Sequence, residues 1–413
     1  MSGLAAAGAL ARTGWTVTLL ERGDRLRPGR AAVLLWPNGV RALASLGLGG
    51  AGGVEAVGTA VPALGVRRPD GRWLQQPDES APVALAVHRT DLHDMLVAGL
   101  GDQVEICTGV TIRTTRPTTR RPGVSDGTTT WEADLIVGAD GADSVLRRRL
   151  APASTLVSGG YALWRAVIPW YRVPEQVGTA AGAAGGSAAG GSVGGSAGGS
   201  AGGSVGGSAA GSAGGVAGGE LIGDAHRFSY AVLGDRAEKR GGVYWVAAVP
   251  GAARPEPPET QLTLLRRWFA GWHPPVGDLL AATDPEDLVQ ETVRDLRPVP
   301  KLAHPAGPGG YLLVGDAAHA MSAHAGQGPG LAAEDAATLQ IVLHGVVPGG
   351  SLGEALADYA RLRSARIARV AAHVRRLDAA LHSRGRFSVG SRFAPRLLER
   401  VATVAAEWQP PAR

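Results

Sequence analysis

Three carboxylates in this chain each follow a short apolar run. Asp316 comes after Tyr311-Leu-Leu-Val-Gly, Glu21 after Trp15-Thr-Val-Thr-Leu-Leu, and Asp140 after Leu135-Ile-Val-Gly-Ala. If the runs are parallel strands, the acids lie at the edge where open α/β sheets bind ligands. A short acid there suits the hydroxyls of a ribose or ribityl chain. Gly315 precedes one of these acids, and Gly326-Gln327-Gly328-Pro329-Gly330 follows it. That glycine run lets backbone pass close to a flat ligand. A helix expected from about Leu331 would point its first N–H groups, with their partial positive charge, into the same space. Arg89 and Arg30 offer guanidinium groups, which suit phosphate.

The elements that must position these groups follow from spacing. Tyr311 to Val314 reads as a buried parallel strand. Leu4 to Thr13 reads as an Ala-rich helix ended by Gly14, and Trp15 to Leu20 as the strand that carries Glu21. Glu21 lies 18 positions after Gly3, near the distance the dinucleotide fingerprint G-x-G-x-x-G requires, so Gly3 matches its last glycine. The strand and two glycines that would precede Gly3 are absent from this sequence. The expectation is either a start placed too far downstream or a chain that binds its dinucleotide weakly.

Val33 to Leu35 leads into Trp36-Pro37-Asn38, where Asn38 begins a helix or fixes a turn. Val61 to Val87 is a short β excursion around an Asp-Gly turn at Gly71. A buried strand is expected at Leu135 to Val137, followed by a helix from Ser144 with Asp143 as its helix-start acid. Strands at Tyr161–Ile168, Phe228–Leu233 and Val243–Val249 would form a sheet lid. Trp164, Trp245, Phe228 and Tyr230 are its candidate pocket walls, with a place in the core as the alternative for each. Between them, residues 178–219 repeat Gly-Gly-Ser with Ala and Val, a composition expected to be disordered. Thr260 to Ala270 reads as an amphipathic helix. Leu352, Leu356, Tyr359, Ile367, Val370, Val374, Leu377 and Leu381 recur at helical spacing along a long one, whose arginines are expected on a solvated face.

Composition narrows the class. At 413 residues with 45% hydrophobic content, the chain can bury the cores of two domains. No apolar stretch reaches the roughly 18 residues a spanning helix needs, so no membrane span is expected. The opening lacks the basic start of a signal peptide. Lys plus Arg exceed Asp plus Glu by 41 to 36. Without an aromatic-interleaved basic motif, this excess points to anionic cofactors rather than nucleic acid. The single Cys107 excludes an intrachain disulfide and suits a reducing cytoplasm. It is expected to be a small buried residue. No Ser-His-Asp set, metal cluster or Walker loop is found, so the reactive group is most economically a cofactor.

The Gly315-Asp316-Ala317-Ala318-His319 run, the later Gly-Gln-Gly and Glu334-Asp335-Ala336 resemble the second FAD-binding motif of the single-component flavoprotein monooxygenases, the para-hydroxybenzoate and salicylate hydroxylase type. His88-Arg89-Thr-Asp-Leu resembles that family's Arg-x-x-Leu helix, and Asp140-Gly141 its Asp-Gly motif. One departure is Ala323, where family members usually carry Pro, which leaves the shape of the flavin-facing loop open. The resemblance implies FAD contacts at Gly3, Glu21, Arg22, Arg30, Arg89, Asp140, Gly141, Gly315, Asp316, Gly326, Gln327, Gly328 and Leu331. His324, in the loop nearest the ring, would bind or deprotonate a phenol or line the wall. His319 is expected to be structural.

The implied fold is α/β: a Rossmann-like FAD-binding domain with an inserted β-sheet substrate domain and C-terminal helices. Residues 1–62, 88–155 and 290–345 would bind FAD, 63–87 and 156–289 would hold substrate, and 346–413 would be helical. The implied activity uses NADH or NADPH and dioxygen to hydroxylate or epoxidise a small aromatic or polyketide-like substrate. A flavin oxidase or reductase without oxygen transfer, and a truncated non-catalytic remnant, remain alternatives.

Overall fold

The computed structural model describes residues 1–62, 65–78, 80–116, 121–175, 177, 218–234, 240–251, 253, 255–381 and 389–412. The expected disorder of 178–217 lies outside them, whereas Gly218 and Gly219 open a strand. No helix among the described residues is long and apolar enough to cross a membrane.

The N-terminal helix α1 (Ser2–Arg12) is Ala-rich and buried on all sides from Leu4 to Leu10, and Gly14 at φ +86° turns the chain out of it. It feeds β1 (Val17–Leu20), which pairs in parallel with β7 (Val104–Cys107). A second parallel pair joins β8 (Leu135–Gly138) to β15 (Gly309–Leu313). β15 also runs antiparallel to β14 (Ala303–Ala306). β15 is buried along its length, as its apolar run predicts. Leu135, Ile136 and Val137 are only half-buried, and so is Cys107; both were expected inside. Among the described residues, β8 has a strand partner on one side only.

The Val61 to Val87 excursion divides between two sheets. β3 (Gly58–Val61) and β2 (Ala32–Leu35) flank β6 (Ala84–His88). The hairpin β4 (Val66–Arg67) and β5 (Trp73–Gln75), turned at Gly71 with φ +87°, extends a seven-stranded sheet. The rest of that sheet is β9 (Thr155–Pro169), β10 (Gly218–Ile222), β11 (Arg227–Leu233), β12 (Gly242–Pro250) and β13 (Val289–Arg297). Its register sets Trp164 opposite Ala247 and Tyr230 opposite Trp245. β9 shifts register against β13 between Ser158 and Ala162, where Gly160 takes φ +77°. Helices α5 (Pro258–Trp268) and α6 (Val276–Ala281) pack their leucines on one face of this sheet around Phe228, Trp164 and Trp245.

Helices α2 (Pro37–Ser45), α3 (Arg89–Ala98) and α4 (Val145–Leu150) follow β2, β6 and β8 in the chain. Pro37 opens α2, where its missing N–H costs nothing. Asn38 does not cap the helix. It is fully buried, and its Nδ2 donates to Glu334 Oε1 at 2.7 Å. Through the centre runs α7 (Gln327–Val342), covered by the long α8 (Gly353–Leu381) and by α9 (Val389–Ala406). The eight apolar positions read at helical spacing from Leu352 to Leu381 are all buried.

Two arginines of α8 depart from the solvated face expected of them. Arg363 keeps 1% of its side chain exposed. Its Nε donates to Asp335 Oδ1 at 2.8 Å, and its NH1 bonds Glu334. Arg366 donates to Glu334 Oε1 at 2.9 Å and reaches the Val404 carbonyl of α9 at 2.6 Å. Burial alone would raise the Glu334 and Asp335 carboxyls; the facing arginines and His319 outweigh it and hold both below the ordinary range. Removing one member would leave a buried charge uncompensated. Arg363→Met is therefore expected to cost about 3–5 kcal/mol of stability in urea denaturation. Arg361→Ala, on the exposed Asp358 pair of the same helix, is expected to change little. Equal losses in the two variants would refute a structural role for the buried set.

Candidate active site

β15 ends at Leu313, and after Val314 the chain turns at Gly315 with φ +58°. A Cβ there would stand 2.6 Å from Ser2 Cβ of α1, so only glycine allows helix and turn to meet. The Gly315 N–H donates to Asp335 Oδ2 at 2.8 Å, which ties the turn to α7. Asp316 follows, and its side chain is exposed into a cavity of about 570 Å³. His319 is buried against Asp335 at 2.7 Å, a structural contact.

At the Ala323 position the loop makes a single 3-10 turn, Ala323–Ala325, with Ser322 accepting from His324 N at 3.3 Å. Gly326, at φ +62°, then opens α7. The helix therefore starts at Gln327, four residues before the expected Leu331. Gly-Pro-Gly fits the first turn because those N–H groups have no partner within the helix. Gly326 and Gly328 line the cavity. Leu331 is buried among α8 and α9 side chains, and Gln327 is fully buried with its Nε2 on the Ala325 carbonyl.

Arg89 begins α3 and reaches the same cavity. Asp91 pairs with Arg240 and Glu55 accepts from Gly50 N, so neither carboxylate holds Arg89 as a surface ion pair. The Arg89 Nε is buried with no hydrogen-bond partner among the described residues. Burial and then the nearby Arg165 lower its pKa, so the site favours an anion beside it. Met1, Ser2 and Ala5 at the start of α1, with Ala139 and Gly141, complete this wall.

The other expected contacts stand off the cavity. Glu21 accepts from Gly23 N at 2.8 Å, and Arg22 and Arg30 are exposed. Gly3 faces Ala139, where a Cβ would make a 3.4 Å contact. The Asp140 carboxylate accepts from Val145 N at 2.7 Å and Leu146 N at 3.3 Å, so it caps α4 together with Ser144. Asp143, expected to do this, instead holds Arg294 through bonds of 2.7 and 2.8 Å.

The opposite wall comes from the seven-stranded sheet. Strand alternation sends Trp164, Trp245 and Phe228 to the far side. There Trp164 donates to Gln261, Trp245 donates to Thr283, and Phe228 stacks on Trp245. Tyr230 packs with them and also reaches the cavity. The residues that face inward are Leu163, Arg165, Arg227, Ser229, Tyr244 and Val246, with Glu220 and Glu291. Sequence reading missed them because period 2 places residues on alternate faces without saying which face is covered.

His324 lines the cavity with its ring stacked on Tyr161, centroids 4.3 Å apart. An Arg227 nitrogen lies 3.1 Å from His324 Nδ1. Guanidinium can only donate, so Nδ1 accepts and the neutral ring carries its proton on Nε2. The Tyr161 hydroxyl bonds Ser322, which donates to Asp378 Oδ1 at 2.6 Å. This hydroxyl chain can pass a proton between the loop and α8. Asp378 also had a sequence signal, being the only acid between Asp358 and Glu399.

Burial pushes the Asp378 carboxyl up to about 7. The Ser322 hydrogen bond opposes this, Asp295 adds to it, and Arg227 and Arg297 oppose it. The folded state thus holds a proton that an unfolded carboxylate releases near pH 4. As pH rises from about 4 to about 7, the native protein should lose stability relative to Asp378→Asn. Urea midpoints of the two proteins at pH 5 and pH 8 check this, and a difference that is the same at both would refute it.

Comparison with known proteins places this geometry. The FAD binding domain family matches residues 1–162 and 276–374. The chain is 26% identical over 389 residues to the FAD-dependent urate hydroxylase of Klebsiella pneumoniae, covering 89% of this chain and 84% of that protein. A 156-residue stretch is 41% identical to 2-heptyl-3-hydroxy-4(1H)-quinolone synthase of Mycobacteroides abscessus, 36% of this chain and 40% of that protein. The crystal structure of Klebsiella pneumoniae HpxO with FAD and uric acid aligns over 98% of this chain and 90% of its own. Its TM-score is 0.71 at 22% identity, a likeness of fold.

Proposed function

The chain belongs to the FAD binding domain family, and from that premise we propose that it is a monooxygenase using NADH or NADPH and dioxygen. Its substrate would be a small aromatic or polyketide-like molecule, hydroxylated or epoxidised. The observation that carries this reading is a single cavity with two unlike walls. One wall holds a buried, unpartnered Arg89 nitrogen, the exposed Asp316 carboxylate and the first turn of α7. The other is a sheet of mixed apolar and polar side chains.

The first wall fits FAD. Arg89 supplies a cation for the pyrophosphate or ring edge, and Asp316 accepts from ribityl or ribose hydroxyls. Gly326 and Gly328 let backbone approach a flat ring, and the α7 N-terminus lowers the energy of negative charge placed against it. When bound, FAD supplies the redox chemistry: with electrons from the nicotinamide, one oxygen atom goes to substrate and the other leaves as water. The sheet and loop hold the substrate. With Arg227 beside its Nδ1, His324 lines the cavity where a substrate oxygen would sit, and its part is to position that oxygen.

The same reading assigns 1–62, 88–155 and 290–345 to the cofactor, 63–87 and 156–289 to the substrate side, and 346–413 to a helical cover. The pairing of β4 and β5 with the large sheet supports placing the excursion on the substrate side.

Purified protein given FAD should turn yellow, oxidise NADH or NADPH, and yield product carrying an atom of labelled dioxygen. Unlabelled product from a yellow protein would mean oxidase or reductase chemistry, and a folded, colourless protein would sink the reading. Arg89→Ala should weaken FAD binding about 10- to 100-fold, the worth of a lost charge-assisted hydrogen bond, in a flavin fluorescence titration. An unchanged affinity would remove Arg89 from the site.

A further inference from the structure

We propose that the substrate is an uncharged aromatic ring bearing a hydroxyl or oxo group and no carboxylate, because both arginines on the substrate wall are already neutralised. The inference rests on the monooxygenase reading and adds the charge class of what the pocket accepts. An aromatic acid would need a guanidinium free to receive it, since an unpaired carboxylate in a half-closed site is strongly disfavoured.

The cavity meets two such groups on the sheet. Arg227 of β11 sets its Nε 2.7 Å from Glu220 Oε1 of β10. The angle is not that of a hydrogen bond, so this is a charge contact, and only 12% and 10% of the two side chains are exposed. Arg227 is also committed to His324, through Nδ1 and through the backbone carbonyl. Arg165 of β9 is ion-paired with Glu291 of β13 and lies against the Tyr244 hydroxyl.

Drawing Arg227 onto a substrate carboxylate would strand Glu220 in the wall, and drawing Arg165 away would break its pair with Glu291, whose side chain is 41% exposed. For Glu220, 8% exposed, water cannot take over. Two more acids line the mouth, Asp78 and Glu399, so the described substrate side carries two arginines against four carboxylates. The third cavity arginine, Arg89, belongs to the opposite wall with Met1 and Asp316. An anionic ring would therefore meet a repelling field. A neutral ring meets aliphatic surface from Leu163, Val246 and Ala248, with Ser229 and His324 to address its oxygen.

The test is equilibrium titration of the FAD-loaded protein, followed by the flavin absorbance change, with matched probes. The pairs are phenol and 4-hydroxybenzoate, 2-pyridone and 6-hydroxynicotinate, and 4-quinolone and its 2-carboxylate. The neutral member of each pair is expected to bind at least about tenfold tighter. Glu220→Gln releases Arg227 and should narrow or reverse the preference, and Glu291→Gln should do the same through Arg165 if the first variant does not fold.

Equal or tighter binding of the carboxylates to the unaltered yellow protein overturns the charge argument and leaves the flavoenzyme reading standing. Failure of all six probes to perturb a yellow protein at millimolar concentration also overturns it. A colourless protein removes the monooxygenase reading and this proposal together.

Discussion

The structure depends on a buried pair of adjacent acids. Glu334 and Asp335 sit in the stretch of α7 that is buried from Ala333 to Leu339, so neither can reach water, and each must be met by protein. Asp335 collects the Gly315 N–H, His319 and Arg363, while Glu334 collects Asn38, Arg363 and Arg366. These donors come from the turn after β15, from α2 and from α8, so one charge set fixes three neighbours of α7 at once. A hydrophobic replacement of equal volume could be as stable, since desolvating four charges is expensive. It would not hold the Gly315 turn in one place.

That fixing matters at the cavity. Asp335 holds the Gly315 N–H in its turn, and the turn aims Asp316 into the space that α7 faces with its first N–H groups. Arg366 extends the same network to the Val404 and Ala405 carbonyls of α9, whose other face lines the cavity mouth at Leu398 and Ala402. Charge buried for structural reasons thus ties α7 to the helix at the cavity mouth. The sheet wall uses a different device, pairing each inward arginine with an acid from the neighbouring strand.

Much of this was legible beforehand. The apolar run before Asp316, the glycine loop, the Arg89 helix and the aromatic strands were each identified by residue type and spacing, and the family match agrees with the family they resemble. Errors fell where local pattern is silent. The start of α7 was misplaced because glycine and proline read as loop, although they cost least in a first helical turn. Asp140 took the helix-start part expected of Asp143 because both lie within reach of α4, and the approach of Arg294 draws Asp143 away. The α8 arginines were read as solvated because helical spacing shows which residues share a face and not whether a second helix covers it.

Sequence by itself determined the element types, the positions of special backbone geometry such as Gly315 and Gly326, and the kind of ligand those glycines and acids suit. These depend on steric limits and periodicity within a few residues of chain. Tertiary structure alone decided which face of the large sheet looks into the cavity and which charges cancel. It also decided which carboxyl, Asp378, is held near neutrality. Such outcomes depend on dielectric and on partners far away in sequence, 56 residues between Ser322 and Asp378 and 296 between Asn38 and Glu334, and no local spacing encodes them.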